Sequence, residues 1–149
     1  MNELHGYFLE DLKVGMTDVF TKTICEADIV MFAGISGDTN PLHLNELFAG
    51  GTRFKGRIAH GMLSASFIST VLGTRLPGPG CIYLSQSLKF RAPVKAGDTV
   101  VARATVTSVD PESGRVGLET ICEVDGKPVI EGEALALVSR REQHAVAAA

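Results

Sequence analysis

The sequence predicts an α+β domain in which a curved antiparallel sheet wraps around one central helix. Three observations carry this expectation. Residues 58–74 contain no Lys, Arg, Asp or Glu. Four segments of strand-like composition, separated by turn residues, come after them. A chain of 149 residues can hide an uncharged helix only if those strands surround it.

The elements follow in chain order. Residues 17–24, TDVFTKTI, alternate apolar and polar side chains as a half-buried strand does. In residues 26–36, EADIVMFAGIS, the apolar Ile29, Phe32, Ala33 and Ile35 recur at helical spacing. Glu26 and Asp28 stand in the first turn, where the helix dipole favours acids, and Gly34 and Gly37 mark the end. Residues 38–57 are expected to be loop, with one short helix at 45–49. Pro41 pushes Asn40 out of the α region, which argues for loop rather than helix there. The uncharged stretch reads as a helix buried around its whole circumference, because apolar and small residues lie on every side. Gly73 and the Pro-Gly-Pro-Gly run at 77–80 end it. Residues 81–90, 99–110, 115–125 and 128–139 each read as a strand, and together as a meander. Their turns are Ala-Gly-Asp at 96–98, Asp-Pro-Glu-Ser-Gly at 110–114 and Asp-Gly at 125–126. Residues 1–149 are expected to form one domain, with 140–149 a flexible tail.

Composition narrows the function. Hydrophobic residues make up 45% and charged residues 21%, a globular balance that excludes disorder or coiled coil as the main state. Fourteen basic against 17 acidic side chains give a net charge of −3, with no global footprint for nucleic acid. Cys25, Cys81 and Cys122 are odd in number and far apart, so neither a disulfide framework nor a zinc ribbon is expected. They read as reduced thiols of a cytoplasmic protein. The N-terminal MNELHGYFLEDLKVG is acidic early and lacks the apolar core of a signal peptide. No membrane span is expected either, since residues 58–74 include His60, three serines, two threonines and two glycines.

The chemistry concentrates in Gly37-Asp38-Thr39-Asn40-Pro41-Leu42-His43. A turn there can bring the Asp38 carboxylate and the His43 imidazole to one point. Together they can take a proton from water and give one to carbon, with Asn40 holding the water or fixing the carboxylate. The same composition also suits an Asx-turn beside a surface histidine. A second candidate is Ala59-His60-Gly61-Met62, at the start of the uncharged helix. Helix N-termini offer free N–H groups and a positive dipole end, and glycine admits a ligand close to the backbone. A carbonyl oxygen that gains charge during a reaction would be stabilised there. The alternative is that Gly61 serves close packing and His60 caps the helix. Buried serines usually bond back to the preceding turn, which is the ordinary reading of Ser64 and Ser66. Ser69 is the candidate to contact a ligand. No serine sits in a nucleophile elbow, and His5 and His144 lack ligand spacing, so neither a hydrolase triad nor a metal is expected.

GDTNPLHLN, then RIAHGMLSASFISTVLGTRLPGPG, then YLSQSLKFRAPVKAGD, together resemble the (R)-specific enoyl-CoA hydratases of the MaoC-like dehydratase family. The resemblance spans residues 14–138. It implies a hot-dog fold and reversible addition of water to trans-2-enoyl-CoA, giving (R)-3-hydroxyacyl-CoA. It implies Asp38 and His43 as the acid–base pair, Asn40 as the positioning asparagine and Gly61 as the N–H donor to the thioester oxygen. It gives Ser69 a substrate-side hydroxyl, and His60 joins it as a candidate substrate contact. It requires no metal or organic cofactor, coenzyme A being part of the substrate. It also implies a homodimer and a place in fatty-acid metabolism or polyhydroxyalkanoate precursor supply. The alternatives are a 3-hydroxyacyl-[acyl-carrier-protein] dehydratase, a thioesterase on the same fold, or a non-catalytic acyl-CoA-binding module. An intact Asp38 and His43 argue against the last.

Overall fold

Alternation along the C-terminal half builds the sheet, and the computed structural model, which describes residues 4–141, shows how. The chain runs β1 (Thr17–Thr23), α1 (Glu26–Ser36), α2 (Pro41–Leu44), α3 (Glu46–Gly50) and α4 (Gly61–Thr74). It continues with β2 (Ile82–Gln86), β3 (Lys89–Phe90), β4 (Thr99–Val109), β5 (Arg115–Val124) and β6 (Lys127–Leu137). The antiparallel sheet has the order β1-β4-β5-β6-β2, with β3 also pairing β6. The β5–β6 hairpin turns at Asp125 and Gly126, whose φ values of 50° and 72° match the twist of the strands they join. Val100, Ala102, Ala104 and Val106 on β4 and Val116, Leu118 and Cys122 on β5 are buried on the inner face. They pack with Leu63, Phe67, Ile68, Val71 and Leu72 of α4 in one core. Register shifts between Val106 and Ser108 and between Cys122 and Glu123 let the sheet bend around the helix.

Several expectations are corrected. Only β4, β5 and β6 form a meander, because β2 pairs with β6 and is separated from β4 by both β5 and β6. The strand expected over residues 81–90 breaks at Ser87 and Leu88. There the Ser87 carbonyl crosses directly over Gly132, a position where any Cβ would collide with it. α4 is buried on one side only. Met62, Ser66, Ser69 and Gly73, spaced along its outer stripe, are exposed, since the concave sheet covers just the opposite face. Ile35, expected on the inner side of α1, is 81% exposed. Pro41 does not keep the chain in loop. It takes the first position of the one-turn α2, where its missing N–H costs nothing. Of the expected tail, Arg140 donates to the Glu112 carbonyl at 3.2 Å and Arg141 pairs with Asp11 at 2.7 Å. The remainder of the tail, with His144, lies outside the described residues. Among the described residues no helix is long and apolar enough to cross a membrane.

Candidate active site

Gly37, at φ 77°, ends α1 in the left-handed region and turns the chain toward the site. The next residues hold one another. The Asp38 N–H donates to Ser36 Oγ at 3.2 Å, and the Asn40 N–H donates to Asp38 Oδ1 at 3.1 Å. Asn40 caps α2, its Oδ1 accepting the Leu42 N–H at 3.0 Å. The Asx-turn and the acid–base pair are therefore one structure. Asn40 Oδ1 is spent on the backbone, so this residue shapes the turn.

α2 carries His43 inward to 8% exposure. His43 Nδ1 lies 2.8 Å from the Ile58 carbonyl, which can only accept, so Nδ1 carries the proton. Nε2 is left bare and faces Asp38 Oδ2 at 3.9 Å, a gap suited to two groups addressing one substrate atom between them. His60 Nε2 lies 2.9 Å from the Asp38 carbonyl and likewise donates. The His43 and His60 rings pack at a tilt, with centroids 3.8 Å apart and planes 30° apart. Asp38, His43 and His60 thus bring one ligand-capable atom each within 4.8 Å of the others. His43 Nδ1 and His60 Nε2 are already committed to carbonyls.

Gly61 begins α4, so its N–H belongs to the first turn, which has no intrahelical acceptor. It opens on a cavity of about 380 Å³, lined also by Asp38, His43, His60, Arg53 and Phe90. Of the residues anticipated from sequence, Asp38, His43, His60 and Gly61 meet in this cavity. Ser69 is exposed on the outer stripe of α4 and does not line it. Ser66 bonds back to the Leu63 carbonyl at 2.6 Å, as a helical serine ordinarily does. Ser64 departs from that reading. It is 1% exposed, it lines the cavity, and its hydroxyl has no partner among the described residues.

Sequence reasoning missed three contributors. The Ile58 carbonyl orients His43, and a backbone acceptor has no side-chain signature. Phe90, on β3, packs its ring against Gly61. Arg57 links α1 to α3, pairing with Glu26 at 2.5 Å and Glu46 at 3.1 Å. The hydrogen bonds that its guanidinium donates to these two carboxylates hold it charged beyond even the usual arginine value.

Known proteins resemble this chain over most of its length. The model of the MaoC like domain matches residues 13–131. An (R)-specific enoyl-CoA hydratase of Rhodospirillum rubrum is 60% identical over 94% of this chain and 97% of its own length. A 3-hydroxybutyryl-CoA dehydratase of Methylorubrum extorquens is 50% identical over 95% of this chain and 90% of its own length. The unliganded R-hydratase structure from Pseudomonas aeruginosa superposes with a TM-score of 0.86 at 42% identity, covering 91% of this chain and 88% of that one.

Proposed function

We propose, from the premise that this chain belongs to the MaoC-like domain family, that it is an (R)-specific enoyl-CoA hydratase. It adds water reversibly to trans-2-enoyl-CoA and gives (R)-3-hydroxyacyl-CoA, which makes it a hydro-lyase. The observation that carries the reading is the approach of Asp38 Oδ2 to His43 Nε2, 3.9 Å apart, in the same cavity as the Gly61 N–H.

Each part has a role in that chemistry. The thioester oxygen accepts from the Gly61 N–H, at the positive end of α4, and gains charge as the water oxygen bonds to C3. One member of the Asp38–His43 pair takes the water's proton and passes it to the other, which delivers that same proton to C2, so the pair ends each turnover as it began. Both act from one side of the substrate, which gives syn addition. Asn40 keeps the turn in shape, and the Ile58 carbonyl keeps the His43 proton on Nδ1. The route uses no metal or organic cofactor, because backbone N–H and side-chain proton transfer supply each step.

The working form is a homodimer. The exposed stripe of α4 and the apolar edge strand β2, with Ile82 57% and Leu84 43% exposed, together offer a face for a second copy. The three free thiols suit the reducing cytoplasm. The test is loss of the conjugated thioester absorbance when trans-2-enoyl-CoAs of increasing chain length are supplied. The product is then offered to (R)- and (S)-specific dehydrogenases. Oxidation by the (R) enzyme is expected, and oxidation by the (S) enzyme alone refutes the reading. Release of free thiol would instead mark a thioesterase.

A further inference from the structure

His60 is an N-cap residue that does not cap. Its side chain makes no bond to the start of α4, although it is only 1% exposed. It reaches back 22 residues to the Asp38 carbonyl at 2.9 Å. A carbonyl only accepts, so the imidazole proton sits on Nε2 and Nδ1 is a bare acceptor. That Nδ1 is sealed from solvent and has no partner among the described residues. One turn along the helix, the Ser64 hydroxyl is in the same condition, 1% exposed and without a partner among the described residues. The two residues are adjacent, the Ser64 N–H lying 3.5 Å from the His60 carbonyl. One orphan atom accepts and the other can donate. Buried polar groups are rarely left unpaired, and these two, although no hydrogen bond joins them in the structure, are chemically complementary across a single turn.

We propose that His60 is a positioning residue for the hydratase reaction, its Nε2–H held by the Asp38 carbonyl, and that rotation of the Ser64 hydroxyl toward Nδ1 locks this tautomer. The Nε2–H fixes the Asp38 backbone, from which the carboxylate projects. The His60 ring, 3.8 Å from that of His43, also backs the second catalytic group. Phe32, with its ring centroid 5.0 Å from that of His60 and tilted 54° to it, packs against the same imidazole. His60 thereby touches both members of the acid–base pair. Its one unspent polar atom is shut off from water, so it acts through them and makes no polar contact with substrate. Ser64 acts on the reaction only through His60. The inference rests on the hydratase reading of the same site.

The experiment compares wild type with His60→Phe, His60→Gln and Ser64→Ala, measuring kcat and KM on a trans-2-enoyl-CoA. Phenylalanine keeps the ring stack and removes the donor. Glutamine offers an N–H near where Nε2 stood. His60→Phe is expected to lower kcat by up to about 10²-fold with KM little changed, since small misplacements of catalytic groups cost that much. His60→Gln is expected to recover the larger part of the loss. Ser64→Ala is expected to lower kcat several-fold, and to add nothing in the His60→Phe background. Imidazole ¹⁵N NMR should show His60 protonated at Nε2, with its Nδ1 signal displaced by Ser64→Ala. A raised KM with kcat kept would make His60 a substrate contact and overturn the proposal. An unchanged kcat in Ser64→Ala, or a proton on Nδ1, would overturn it too. If His60→Phe does not fold, Ser64→Ala and the nitrogen spectrum decide. If the wild type hydrates no enoyl-CoA, the hydratase reading fails, while the spectrum still tests the tautomer.

Discussion

The Phe90 ring stands against the α-carbon of Gly61, so closely that a Cβ there would lie 2.6 Å from its Cε1 and 2.7 Å from its Cδ1. The sequence left Gly61 two explanations, access for a ligand or close packing. The ring that packs on it also lines the cavity, so close packing and an opening to the cavity meet at one position.

Helix propensity alone has alanine gaining about 0.5–1 kcal/mol over glycine inside a helix. At residue 61 the Phe90 contact reverses the sign. Gly61→Ala is expected to lose about 1 kcal/mol by overpacking, the ring giving way because it is 54% exposed. Adding Phe90→Ala should restore the propensity gain, leaving the double variant about 0.5–1 kcal/mol more stable than Phe90→Ala alone. Thermal unfolding of the three variants checks this, and simple additivity would mean the contact is absent.

Asp38→Asn and His43→Ala should each lower hydration by about 10²–10⁴-fold. Their stabilities should differ. The Asp38 side chain is 51% exposed, so the amide should change stability by no more than about 0.5 kcal/mol. Removing the buried His43 leaves the Ile58 carbonyl without its imidazole donor, at a cost of about 1–3 kcal/mol. Kinetics with denaturant melts separate the two effects. Near-wild-type turnover in either folded variant would remove the pair from the mechanism.

Alkaline pH should unfold the protein from a defined point. Burial pushes the Cys122 thiol from 9.0 up to about 12. It also pushes the Tyr83 phenol from 10.0 to about 12, with a further contribution from Cys122. Between the unfolded and folded values the unfolded chain has lost protons that the folded chain retains. Stability therefore falls as pH rises above about 9, and these groups contribute no slope at neutral pH. Cys122→Ala should flatten the first part of the fall. Urea melts at about pH 8, 9 and 10 measure it, and a level profile would contradict burial of the Cys122 thiol.

The exposed stripe of α4 should be covered in solution. Sedimentation of the wild type is expected near twice the chain mass of 15.8 kDa. Gly73 lies on that stripe, and a Cβ there meets nothing within 4 Å in one chain. Gly73→Arg should consequently leave the subunit folded and shift it toward monomer. A dimer that tolerates this change uses another face.

What the sequence by itself determined is local. The GDTNPLH turn could be read because a left-handed Gly37, the Asp38 and Asn40 side-chain acceptors and Pro41 act on backbone groups within a few residues. The limits of α1 and α4 and the Asp125-Gly126 hairpin were readable for the same reason. Only the tertiary structure decided the remainder. It placed β2 beside β6, bared one side of α4 and set Phe90 on Gly61. It also aimed His43 at the Ile58 carbonyl and His60 at the Asp38 carbonyl. Each of these joins positions with no shared period, and the last two use backbone oxygens that every residue possesses. A periodic pattern can say that a side chain is buried, but which distant atom it meets depends on how the sheet closes around the helix.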